Sequence, residues 1–127
     1  MRMSMTKPLK PVQQEALFES IQHWKRIVKG EEASEGTRSC ALCQNYHGND
    51  CIGCPVYQET KDTCCTRTPY DTFVVVTPGS NTGRWAETKK SRKAARKELQ
   101  FLKSIWKARA KLKLREFAKR QKKEHDK

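Results

Sequence analysis

The sequence has no apolar run longer than Phe73-Val74-Val75-Val76. That is far short of the roughly 20 residues a membrane span requires. The opening stretch, MRMSMTKPLKPV, has no apolar signal core, so the expectation is a protein of the reducing cytoplasm. Histidine is scarce, at His23, His47 and His125 only. A histidine-dependent metal nuclease needs a general base besides its metal ligands, and three scattered histidines do not supply both. A Gly-rich phosphate loop, a zinc-protease helix motif and a Ser/His/Asp set are all missing. The expectation is therefore a non-catalytic protein. Apolar residues are sparse too, at 35% hydrophobic against 32% charged, with a mean hydropathy of −0.92. A chain of 127 residues with that balance has a thin core and calls for a staple.

What is present is sulfur and positive charge, in different places. Residues 1–86 hold ten Lys/Arg and nine Asp/Glu, a balance of +1. Residues 87–127 hold seventeen and five, a balance of +12. Three segments follow: a loose lead-in over 1–11, an N-terminal helix with a Cys-rich module over 12–86, and a basic helix over 87–127. In the second segment Leu17, Ile21, Trp24 and Val28 recur at spacings of four, three and four, which predicts an amphipathic helix. Pro11 suits its first turn, Lys25, Arg26 and Lys29 suit its end, and Gly30 is placed to stop it. Phe73–Val76 reads as a short strand and Pro78–Gly83 as a loop. From Ala86 onward no Gly or Pro interrupts the chain. Ala95, Leu99, Leu102, Trp106, Ala110, Leu114 and Phe117 share one narrow arc at helical spacing, predicting one long helix.

Four of the six cysteines lie in CALCQNYHGNDCIGCP, residues 40–55. Cys40/Cys43 and Cys51/Cys54 are two Cys-x-x-Cys pairs, and two such pairs close a tetrahedral S₄ site suited to one structural Zn²⁺. Such a site contributes roughly 10–16 kcal/mol on metal binding, which suits a chain with little core. His47 reads as a loop residue, not a ligand. An iron–sulfur cluster and a set of inert thiols or disulfides are the rival readings; cytoplasmic redox favours metal over disulfide.

Ser20-Ile21-Gln22-His23-Trp24-Lys25, Cys40-Ala41-Leu42-Cys43, Cys51-Ile52-Gly53-Cys54-Pro55-Val56 and Cys65-Thr66-Arg67-Thr68-Pro69-Tyr70 follow one another in order. This pattern resembles a family of small Cys-rich proteins encoded by tailed bacteriophages and their prophages. The resemblance covers roughly residues 15–105. It implies that Cys65 joins the ligands, with Cys51 the one it would displace, and that the setting is the cytoplasm of a bacterial host. It brings no settled activity.

Together these readings predict an α+β fold: a zinc-stapled module between an N-terminal amphipathic helix and a long basic C-terminal helix. Beyond Trp106 the module looks too small to cover that helix, so its end is expected to project. Lys107, Arg109, Lys111 and Lys113, and beyond them Arg115, Lys119 and Arg120, are the candidate partner contacts. Four zinc-bound thiolates leave the front near −1 beside a helix of +12, a polarity that attracts phosphate. RNA or DNA is the expected partner, bound through its backbone. An acidic surface of a host protein, such as a nucleic-acid-processing or defence enzyme, is the alternative.

Overall fold

The computed structural model describes residues 9–34, 42, 54–56, 68–81, 83–110 and 113–125. In chain order these form helix α1 (Pro11–Val28), helix α2 (Pro69–Val76), strands β1 (Gly79–Ser80) and β2 (Gly83–Arg84), helix α3 (Lys89–Arg109) and helix α4 (Leu114–His125). The fold is predominantly helical, which corrects the α+β expectation. Its strands are two residues each, paired antiparallel as Gly79 with Arg84 and Ser80 with Gly83. They form a hairpin and no layer for helices to pack on.

Helix α1 starts and stops where its sequence directs. Pro11 occupies the first turn, where no N–H is required. The Lys10 N–H donates to Gln13 Oε1 at 2.8 Å. At the other end Gly30 takes φ 79°, the left-handed conformation that glycine adopts without a Cβ penalty. Its N–H reaches Ile27 O at 3.0 Å, and the Glu31 N–H reaches Arg26 O at 2.9 Å. These two bonds are the Schellman pair that satisfies the last carbonyls of a helix.

The segment expected as a strand is instead the end of α2. Pro69 opens this helix, Phe73 points inward and is fully buried, and Val75 points out at 83% exposure. Three β-branched residues disfavour helix by their own propensity. Aromatic packing overrides them: the Phe73 ring stands edge-on to Trp24 with centroids 5.0 Å apart, and Tyr70 does the same at 5.9 Å. Only a helical period puts Tyr70 and Phe73 on one side. Arg84 closes the helix, its Nη1 donating to the Val74 carbonyl at 3.2 Å and to the Thr77 carbonyl. The Arg84 backbone also bridges Ser34 through bonds of 3.0 and 2.8 Å. One residue thereby ties the chain after α1 to the end of α2.

Helix α3 has its own start signal. Thr88 Oγ1 accepts from the Ser91 N–H at 3.0 Å while the Thr88 N–H donates to Ser91 Oγ at 2.9 Å, a reciprocal capping box. It packs along both α1 and α2. Leu17, Ile21, Trp24 and Ile27 of α1 share one core with Ala94, Ala95, Leu102, Ile105 and Trp106 of α3. Leu42, Cys54 and Val56, from the Cys-rich segment, are buried in that same core.

The long C-terminal helix of the sequence reading is two helices. α3 ends at Arg109, and Ala110 turns extended with φ −87° and ψ 139°. The Arg109 carbonyl, which a continuing helix would use, accepts from the Leu9 N–H at 3.1 Å. Past the turn, α4 sets Phe117 against Phe18 and Trp106, with ring centroids 5.0 and 5.1 Å apart. Burying Phe117 to 9% exposure explains why the end does not project as the sequence suggested. A straight helix would leave that ring in water and the Phe18/Trp106 surface uncovered.

Candidate functional site

Helix α3 divides its residues by charge. Toward the core it presents Ala94, Ala95, Leu102, Ile105, Trp106 and also Glu98 and Arg109. At about 100° per residue, Lys89, Lys93, Arg96 and Lys107 fall on the opposite side, and all four are exposed. Lys90, Arg92, Lys97 and Lys103 flank them and are exposed as well. The only acid in α3 is Glu98, and it is turned inward at 4% exposure. The outer face of α3 therefore carries cations and no carboxylate of its own helix.

That arrangement works against the helix. Like charges four apart, as in Lys89/Lys93, Lys93/Lys97 and Lys103/Lys107, each cost about 0.2–0.5 kcal/mol. Lys89 and Lys90 also open the helix at its positive dipole end, and its first turn has no acid. A face selected for stability alone would interleave Glu with Lys.

A second feature lies between α1 and α4. Gln22 and Lys25 of α1 face Leu114, Arg115, Ala118, Lys119 and Lys122 of α4 across an open groove of about 530 Å³. The α4 residues share one side of their helix, while Glu116 and Arg120 point elsewhere around it. Among the described residues lining the groove, four are cationic and none is acidic. Partial burial, followed by repulsion from Lys103 and then Lys29, lowers the Lys25 ammonium from its ordinary value. Lys103 belongs to the outer face of α3, so the face and the groove share one electrostatic field.

Of the sequence-predicted contacts, Lys107, Lys113, Arg115, Lys119 and Arg120 are exposed. Arg115 and Lys119 line the groove, and Lys107 belongs to the α3 face. Arg109 is buried at 9% exposure and lies off that face. Lys111 lies outside the described residues. Lys25 and Gln22 carry no sequence signal for a site, because on α1 a late lysine looks like an ordinary dipole complement. In the first half of α3 the Lys and Arg residues form a run in the sequence, and the fold makes them one face.

Four of the candidate metal ligands, Cys40, Cys43, Cys51 and Cys65, lie outside the described residues, as does His47. Cys54 is described and buried. Among the described residues no group of three His, Cys, Asp or Glu side chains is placed to hold a metal.

His23 belongs to a different cluster. Its Nδ1–H donates to Glu32 Oε2, and Arg26 Nε donates to Glu32 Oε1 at 3.1 Å. Partial burial pushes the Glu32 carboxyl up, but the hydrogen bonds from His23 and Arg26 and their charge outweigh it and hold it below its ordinary value. The cluster latches the turn after α1 back onto the helix.

The chain matches no protein-family model, no curated protein and no solved structure. Among the described residues no helix is long and apolar enough to cross a membrane.

Proposed function

We propose that this is a non-catalytic protein that binds the phosphate backbone of RNA or DNA through the outer face of α3 and the neighbouring α1/α4 groove. One observation carries the reading: α3 presents Lys89, Lys93, Arg96 and Lys107 outward and turns its single carboxylate, Glu98, into the core. Unpaired lysine and arginine on a rigid helix release condensed counterions when they meet a polyanion, which gives affinity without base recognition. The phage-family resemblance supports a setting in an infected or lysogenic bacterial cytoplasm. The two Cys-x-x-Cys pairs support one structural zinc, held by Cys40, Cys43, Cys54 and either Cys51 or Cys65. The burial of Cys54 beside Leu42 and Val56 is consistent with a staple formed against the core.

The decisive experiment is capture from bacterial lysate with and without nuclease, followed by fluorescence anisotropy on a short duplex at rising salt. Binding that disappears with nuclease and falls linearly in log affinity against log salt supports the reading. A protein partner that survives nuclease treatment replaces it with the acidic-surface alternative. Metal analysis of protein purified without chelator tests the zinc, and an intact fold with no bound metal removes it.

A further inference from the structure

The groove between α1 and α4 differs from the α3 face in being concave. We propose that it is a discrete seat for a phosphoryl group, holding one phosphate of a bound nucleic-acid strand between Lys25 on one wall and Arg115 and Lys119 on the other. The inference rests on the nucleic-acid reading and adds a defined site to what is otherwise a diffuse field.

Three properties of the groove support it. Its donors suit the ligand: Arg115 offers a planar fork for two phosphate oxygens, Lys25 and Lys119 offer point charges, and no described lining residue is a carboxylate. Its α4 wall includes Leu114 and Ala118, so the sugar beside a seated phosphate meets apolar surface. Its Lys25 also sits in a repulsive field in the free protein. Lys25 is partly desolvated and is repelled by Lys103 of α3 and Lys29 of α1, so an anion placed here relieves a repulsion that no described groove residue offsets. By linkage, the same anion must raise the affinity of Lys25 for its proton.

The test compares two charge-removing pairs in the full chain: Lys25→Gln with Lys119→Gln in the groove, and Lys93→Gln with Lys97→Gln on the α3 face. Each pair removes the same net charge. A discrete seat predicts that the groove pair weakens a short DNA duplex or single-stranded RNA on the order of 30-fold, as loss of charge-assisted bonds implies. The face pair, exposed and screened, should lose about threefold. If Lys25→Gln disturbs folding, Arg115→Gln with Lys119→Gln on exposed positions of α4 poses the same question. Equal losses from both pairs overturn the seat and leave the nucleic-acid reading standing. If the unaltered protein binds neither polymer, that reading falls, and titration with inorganic pyrophosphate decides the seat alone. Saturable shifts of the Lys25 and Arg115 side-chain resonances would then support a site for free phosphoryl groups, and their absence would overturn it.

Discussion

Helices α3 and α4 come from the same basic run, and each carries an apolar row along one side. They are held by different means. α3 has a reciprocal cap at Thr88 and Ser91, and it buries Ala94, Ala95, Leu102, Ile105 and Trp106 along most of its length. Among its described residues α4 places only Phe117 fully in the core, with Leu114 and Ala118 partly covered. One helix is a structural wall that is charged on its outer side. The other is an arm fastened by one ring, and it supplies half of a groove. Both helices are rich in cations yet unequally anchored, and the weaker anchor is at the more defined candidate site.

The sharpest way to break the comparison is to remove one anchor from each helix. Leu102→Ala should cost about 3 kcal/mol, the usual loss for a fully buried leucine, and lower the denaturation midpoint of the whole molecule. Phe117→Ala should cost about the same at most, but confined to α4. Hydrogen exchange should then quicken in α4 amides while those in the middle of α3 keep their protection. Uniform acceleration across both helices would show that α4 is as integral as α3.

A smaller effect separates the ends of α3. Thr88→Ala removes the acceptor for the Ser91 N–H and should cost about 1 kcal/mol. Exchange should rise in the first turn of α3 and nowhere in α4, because the cap acts on its own helix alone.

The smallest effect comes from the acid latch at the end of α1 and serves as a control outside the two basic helices. The folded Glu32 carboxyl lies below its ordinary value of 4.5. Its contribution is therefore fully present above that value and is lost as pH falls through the folded value. The side chain is partly exposed and screened by solvent, so Glu32→Gln should cost about 0.5 kcal/mol or less near neutrality. The stability gap between Glu32→Gln and the unaltered protein should close in acid, with no change in α4 exchange at any pH.

Much of the architecture can be read from local chemistry. Pro11 and Gly30 bound α1 because proline fits a helix's first turn and glycine fits its left-handed exit. Leu17, Ile21 and Trp24 face the core because a period of 3.6 places them together. The errors share a cause. Phe73–Val76 looks like a strand by residue type, but the neighbours that decide its shape, Trp24 and Arg84, are distant in sequence. The run through Ala110 looks like unbroken helix because Ala, Lys and Leu all favour helix. The candidate site was legible as charge but not as geometry, since Lys25 and Arg115 lie ninety residues apart in sequence.

By itself, then, the sequence determined which segments carry the positive charge and where α1 begins and ends. Those properties depend on residues within a few turns of one another, and local sterics and periodicity suffice to set them. Tertiary structure alone decided that Val74–Val76 are helical, that the basic run bends after Arg109, and that Lys25 and Arg115 line one groove. In each case burying an aromatic ring, Phe73 or Phe117, against distant partners outweighs the few tenths of a kcal/mol per residue by which local preference points elsewhere.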